Sequence, residues 1–350
     1  MARQGLEAAY ITRPVSIAYL TGFQSDPHER LMALAVRPDR AILIVPALER
    51  ENAVANSHEA VVVAWRDGED PYAPVGEALE TCAKLAVEKE HLTVQAAEAL
   101  RARVGARELI DVAPEIRRLR VIKSSGELEK LRRACSITDA VAEEITRGLR
   151  SGQTELAVSV GIGAAISAHE ATLSFETSVQ AGPNSAMPHH QPSGRKLQTG
   201  DLVLLDFGAA IEGYRADITR MAVIGEPSER QLEIHALVLE AHDAAIAAAR
   251  AGVTTGAVDA AARDVIAAAR MGDRFFHRIG HGLGLETHED PSLDPGSTTV
   301  LEPGMVFTIE PGIYIPGWGG VRIEDDVVIE AGGCRVLTKT DRNLRVVKTG

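Results

Sequence analysis

The chain lacks most of the features that mark secreted, membrane-bound or nucleic-acid-binding proteins. It has only three cysteines in 350 residues, Cys82, Cys135 and Cys334. They are far apart, odd in number and free of metal-ligand or redox spacing, so they are expected to be reduced packing residues. No uncharged apolar run reaches the ~18 residues that a membrane helix needs. The opening MARQGLEAAYITRP also lacks the apolar core of a secretory leader. Positive charge is in deficit: 37 Lys and Arg against 49 Asp and Glu leave a net charge of −12. That balance argues against a nucleic-acid surface. Internal repeats and low-complexity segments are missing too. The expectation is a soluble cytoplasmic protein with neither a membrane nor a nucleic-acid partner.

What is present is enough apolar material for a sizeable core, 45% of residues. The length allows two ordinary domains. Residues 1–118 alternate β-branched runs (EAAYI, LMALAV, AILIVPA, AVVVAW) with helical patterns at 74–87 and 95–105. That alternation predicts a small α/β domain. A basic stretch, RRLRVIKSS, follows and is expected to be a solvated connector. The remainder, 119–350, is expected to be α+β. Ser124 and Glu127 have capping-box spacing ahead of a long helix, and Ser228 with Gln231 repeats it before a second helix that should stop at Gly252. A third helix is expected from Thr255 to Gly272, with hairpins at 201–224 and 303–330.

The two hairpins carry an anomaly. TIEPGIYIPGWGGVRIEDDV, residues 308–327, reads as two apolar strands around a turn near Gly317, yet Glu310 falls opposite Glu324. DLVLLDFGAAIEGYRADITRMAVIG, residues 201–225, turns near IEG, which would set Asp206 opposite Asp217. Acids facing one another on apolar strands repel, raise one another's pKa values and destabilise the sheet unless a cation intervenes. Two divalent ions roughly 3.5–4 Å apart, sharing bridging carboxylates and holding a hydroxide, would supply that compensation. HRIGHGLGLETHED offers an imidazole ligand in His281, whose flanking Gly280 and Gly282 leave room at a crowded centre, with His277 and His288 to either side.

This constellation resembles the pita-bread metallopeptidases, the family of methionine aminopeptidase, aminopeptidase P and prolidase. The likeness rests on DFGA with Asp206, ADITR with Asp217, GHGLG with His281, TIEPG with Glu310 and VRIEDD with Glu324. It spans about 122–350, with RLRVIKSSGELEKLRRA as its lead-in. VSIAYLTGF resembles part of the creatinase/prolidase N-terminal domain, which points to the proline-specific branch. AGPNSAMPHHQPS and ETHEDP point the same way.

The resemblance implies a pita-bread catalytic domain over 119–350, preceded by a small creatinase-like α/β domain over 1–118. It implies that Asp206 holds one ion, that His281 and Glu310 hold the other, and that Asp217 and Glu324 bridge them. Glu310 would relay protons, His288 and His189 would position the scissile carbonyl, His277 would line a proline pocket and Arg322 would buttress the site. Ligands rich in oxygen with one imidazole favour manganese first, with cobalt or zinc as alternatives. The implied activity is hydrolysis of Xaa-Pro bonds in small proline-containing peptides, either as a dipeptidase (prolidase) or as an aminopeptidase P. The shortness of the front domain tilts that choice to the dipeptidase. Arg30, with Asp26 and Glu29 beside it, would bind the dipeptide carboxylate. A homodimer is expected on the same likeness. Rival readings are a creatinase-like small-amide hydrolase and a non-catalytic scaffold; retention of all five ligand types counts against both. His169, His190, His235 and His242 are expected at the surface.

Overall fold

In the computed structural model, which describes residues 6–348, the chain divides into two compact units, Met1–Arg120 and Val121–Gly350. The first contains strands β1 (Ala8–Ile11), β2 (Ala33–Arg37), β3 (Arg40–Pro46), β4 (Val61–Trp65), β5 (Lys84–Val87) and β6 (Glu108–Asp111). Its helices are α1 (Pro14–Thr21), α2 (Arg50–Asn56), α3 (Ala73–Leu79), α4 (Val94–Val104) and α5 (Ala113–Val121), the last reaching across the boundary between the units. The strands form one mixed sheet in the order β4-β3-β2-β1-β5-β6. Alternate residues of each strand enter two separate cores, so both faces are covered. Ile44 packs with Leu79 and Leu100 on one side, while Leu43 and Val45 pack with Ile17 and Ala53 on the other.

The helix expected over 74–87 ends at Leu79, and Lys84–Val87 is a strand between β1 and β6. Leu85, Ala86 and Val87 are fully buried. A short apolar run buried on both faces carries no alternation by which to distinguish strand from helix.

The second unit opens with α6 (Ser125–Gly148) and α7 (Glu155–Ala168). Strands β7 (Thr172–Leu173), β8 (Ser178–Ala181), β9 (Leu202–Phe207), β10 (Ala209–Ile211), β11 (Tyr214–Arg215) and β12 (Ile218–Ile224) follow. Next come α8 (Glu229–Ala248) and α9 (Thr255–Ala268). The chain continues with β13 (His281–Gly282), β14 (Glu289–Ser292), β15 (Val306–Ile309), β16 (Gly312–Ile315) and β17 (Gly319–Arg322). It closes with β18 (Asp325–Glu330), β19 (Gly333–Val336) and β20 (Arg345–Val347). Both expected capping boxes are formed, with Ser124 accepting from the Glu127 amide and Ser228 from the Gln231 amide. Leu202, Leu204, Met221 and Val223 face a core shared with α8 and α9. Their alternating neighbours Val203, Leu205, Ala222 and Ile224 face a core shared with α6 and α7. A helix pair therefore covers each face of the β9–β12 ladder.

The basic segment after residue 116 is solvated only in part: Arg118 is exposed as expected, but two of its cations are not. Arg120 and Lys123 are buried, and the Lys123 ammonium lies 3.1 Å from the Glu289 carboxylate. The charge neutralises an acid that the fold buries, one residue from His288. His235 and His242 are also buried rather than exposed, and His242 Nε2 lies 3.1 Å from Asp325 Oδ2. His190 is half-buried beside Glu155, and His169 is exposed as expected. Among the described residues, no helix is long and apolar enough to cross a membrane.

Candidate metal centre

Two ladders present the acids. In β15–β18 and β16–β17 one register runs through both pairs, Ile309 facing Asp325 and Gly312 facing Arg322, so Glu310 stands opposite Glu324 in the gap between them. Neither acid continues a ladder there: the Glu310 amide donates to Ile279 O and the Glu324 amide to Thr219 O. The first hairpin differs from expectation by two residues. Asp206 faces Thr219, and the shared register carries on to Ile211 facing Tyr214. The connection is a two-residue turn, Glu212–Gly213, with φ of 51° and 83°. Both central residues with positive φ mark the tight primed turn that matches strand twist; it lies within IEG but is centred one residue later than a pairing of Asp206 with Asp217 requires. Asp217 is thus diagonal to Asp206 on the same sheet face.

These strands bring Asp217, His281 and Glu324 together, all buried, with one ligand atom from each within 4.8 Å of the others. His281 Nε2 lies 3.3 Å from Glu310 Oε1 and 3.8 Å from Asp217 Oδ2. Its Nδ1 faces the Gly282 carbonyl at 3.2 Å, which places the proton on Nδ1 and aims the Nε2 lone pair at the acids. Gly280 and Gly282 serve a purpose other than the one expected. A Cβ at Gly280 would lie 1.9 Å from Thr308 O, and one at Gly282 would lie 2.1 Å from Asp290 O. The glycines let the strand of His281 press against its neighbours' backbones.

Asp206 lines the same cavity but is held elsewhere, its Oδ2 accepting from Arg322 Nη2 at 2.6 Å. Arg322 also donates to Thr219 Oγ1 (2.9 Å) and Tyr314 Oη (3.1 Å), and Thr219 Oγ1 donates to Glu324 Oε2 at 2.6 Å. One internal guanidinium, itself buried, therefore neutralises part of the acid cluster. Burial raises the pKa of Asp217 and Glu324 well above the ordinary carboxylate range, and neighbouring acids add to the effect. Asp206 is raised mainly by burial, and Glu310 reaches about 7 for the same first reason. Burial lowers His281 to about 3, so its imidazole is neutral.

The residues fit divalent metal. Buried carboxylates at this spacing need a counter-charge, a neutral imidazole offers a lone pair, and the buried Asp217 Oδ1 has no hydrogen-bond partner among the described residues.

The cavity, about 600 Å³, also takes in His189, His277 and His288. His277 Nδ1 faces Arg278 O at 2.8 Å, so its Nε2 accepts from the Tyr314 hydroxyl at 2.9 Å. Burial pushes its pKa down to about 4. The His288 ring lies 4.2 Å from the His281 ring, and both His288 and His189 are exposed. Phe175, Phe276, Pro188 and Tyr314 form an apolar wall.

Arg30 belongs to the front unit. Its Nε and Nη2 donate to the two carboxylate oxygens of Asp67 at 3.0 and 2.9 Å, and Nη1 donates to Glu29. Asp26 accepts from the His28 amide instead of orienting Arg30.

Sequence reasoning missed several supporting residues. Behind Glu324, Asp325 accepts from Arg220 (2.7 Å) and Thr338 (2.6 Å) and also contacts Arg342. Burial would raise its carboxyl, but Arg220, His242 and Arg342 together hold it below the ordinary range. The run Glu324-Asp325-Asp326 on a strand was the available signal, since alternate faces must each neutralise an acid. Glu155, fully buried, accepts from Ala181 N, Asn184 Nδ2 and Ser193 Oγ at 2.6–2.9 Å, tying down the segment that carries His189.

The fold and site define a hydrolytic metal centre of the buried-carboxylate type, preceded in the chain by a creatinase-like domain. The chain belongs to metallopeptidase family M24, whose model matches residues 129–331, with the Creatinase/Prolidase N-terminal domain matched over 1–122. It is 40% identical to the Xaa-Pro dipeptidase of Lactobacillus delbrueckii subsp. lactis, over 99% of this chain and 96% of that one. An Xaa-Pro dipeptidase from Bacillus anthracis superposes with a TM-score of 0.92 at 35% identity, covering 99% and 96% of the two chains. An X-Pro aminopeptidase from Thermotoga maritima superposes with a TM-score of 0.90 at 32% identity, covering 99% of each.

Proposed function

We propose that the protein is an Xaa-Pro dipeptidase that hydrolyses small proline-containing peptides with two divalent ions, manganese first and cobalt or zinc as alternatives. The observation that carries this reading is the buried Asp217–His281–Glu324 group opening into a cavity with an aromatic wall. Asp217 and Glu324 would bridge the ions, His281 and Glu310 would complete one of them, and Asp206 the other. When bound, such ions lower the pKa of water from 15.7 towards about 7 and polarise a carbonyl. Everything else falls to the chain's own side chains. Glu310, raised by burial to about 7, is suited to exchange a proton near neutral pH. His288 and His189 would donate to the carbonyl oxygen as charge develops there. His277, Phe276 and Tyr314 would enclose the proline ring, whose imide nitrogen offers no N–H to recognise. Arg322 would keep Asp206 in place directly and Glu324 through Thr219. We place the protein in the cytoplasm as a homodimer; a monomer in light scattering at micromolar concentration would overturn the second point.

The test is metal content with kinetics. Chelator-stripped protein reloaded with manganese should bind about two ions per chain and cleave an Xaa-Pro dipeptide faster than the matched Xaa-Pro-Xaa tripeptide. Two ions with the opposite preference would favour the aminopeptidase reading, which the Thermotoga relative supports. No binding would favour a scaffold.

His288→Ala separates ligand from helper. The variant should keep its metal while the rate falls by about 10²–10³, as for loss of one oxyanion donor. Loss of metal would make His288 a ligand and reopen the role of His281.

A further inference from the structure

We propose that Arg278 binds the free C-terminal carboxylate of the substrate, and so sets the preference for dipeptides. This rests on the Xaa-Pro dipeptidase reading and makes its specificity concrete. The cavity is rich in acid: Glu176, Asp206, Asp217, Glu310 and Glu324 all line it. A carboxylate entering such a space is repelled unless a cation with donors to offer stands ready, and a guanidinium with two parallel N–H groups suits it best.

Arg322, Arg30 and Arg278 differ in their partners. Every nitrogen of Arg322 is engaged, Nε by Thr219, Nη1 by Tyr314 and Nη2 by Asp206. The three nitrogens of Arg30 are engaged by Asp67 and Glu29. A substrate carboxylate would have to displace that two-bond pair first. Arg278 lines the cavity, is half-buried, and donates through Nη1 alone, to Ser292 Oγ at 2.8 Å. Among the described residues no partner takes its Nε or Nη2. The serine acts as a strut: it fixes one edge of the guanidinium and leaves the rest of the fork for a ligand.

The backbone beneath is equally fixed. Ile279 N donates to Leu293 O, Leu293 N to Gly280 O, and Glu310 N to Ile279 O. Arg278 follows directly after His277, and both side chains line the same cavity.

The experiment uses manganese-loaded full-length protein and reads two things. Kinetics compare an Xaa-Pro dipeptide with its C-terminal amide for wild type, Arg278→Met, Arg278→Lys and Arg30→Ala. Thermal shift compares L-proline with L-prolinamide as ligands and needs no turnover. In Arg278→Met, KM for the dipeptide should rise about ten-fold or more, as on losing a charge-assisted bond. The amide should be affected several-fold less, and kcat should change less than KM. Arg278→Lys should recover only part, because it keeps the charge without the fork. Proline should lose its advantage over prolinamide in the thermal shift. Equal losses on dipeptide and amide would overturn the proposal, as would an unchanged dipeptide KM or a selective loss in Arg30→Ala instead. Failure of wild type to cleave any Xaa-Pro peptide would overturn the peptidase reading. The proline–prolinamide comparison would still decide whether Arg278 holds a carboxylate.

Discussion

Glu324→Ala should cost the protein at least one metal ion and lower turnover by roughly three or more orders of magnitude, the range seen when a core catalytic group is lost. Glu324 is 2% exposed and sits between two supports, a backbone bridge to Thr219 and the Thr219 hydroxyl on its Oε2. It belongs, with Asp217 and His281, to a group whose ligand atoms lie within 4.8 Å of one another. On the proposed ligand set its removal would leave Asp217 as the single bridging carboxylate between the two ions. The loss is specific to metal. Deleting a buried acid that stands among Glu310, Asp206 and Asp217 removes repulsion, so the chelated variant should unfold no earlier than chelated wild type. Elemental analysis, turnover and thermal scans on the same preparation test all three points. Near wild-type turnover with unchanged metal content would show the centre to be assigned wrongly.

Chelation should abolish activity and leave a protein whose stability falls as pH rises above about 6.5. The direction follows from the proton balance. Asp206, Asp217, Glu310 and Glu324 have folded-state pKa values above the ordinary range, Glu310 near 7. An unfolded chain releases those protons near pH 4. Between the two ranges the folded state binds more protons, so these acids contribute stability that is fully present below about pH 4 and lost as pH climbs through their folded values. His277 and His281, lowered by burial to about 4 and about 3, act the other way. Their opposing effect is complete once pH passes the unfolded histidine value near 6.5. Above it the acids act alone, with a slope of up to about 1.4 kcal/mol per pH unit for each extra proton the folded state holds. Divalent cations compete with those protons, so metal should restore stability, and by more at pH 8 than at pH 6.5. Thermal scans of chelated and manganese-loaded protein across this range provide the check. A chelated protein whose midpoint stays flat or rises with pH would contradict the burial of the cluster.

Much of this site was legible before any fold was known, because its anomalies are local. Acids at positions 206, 217, 310 and 324 break strands that are otherwise apolar, and a strand tolerates that only for a reason. Ser124 with Glu127 and Ser228 with Gln231 announce helix starts through bonds that span three residues. The Glu310–Glu324 register was readable from a turn centred on Gly317. The Asp206–Asp217 register was misread, because the turn that sets it depends on positive φ at Glu212, a residue whose identity does not advertise that conformation.

By itself, the sequence determined which residue types could form a metal centre and where the long helices begin, since capping, alternation and turn chemistry act over a few positions. Only the tertiary structure decided how the charges are shared. Arg322 and Asp206 are 116 positions apart, Lys123 and Glu289 166, and Arg220 and Asp325 105. It alone shows that Arg30 is engaged by Asp67 while Arg278 keeps donors towards the cavity. The physical reason is that burial makes an unpaired charge expensive, so Asp206, Glu289 and Asp325 each take the cation that packing brings within about 3 Å. That choice depends on the path of the whole chain, and no short stretch of residues records it.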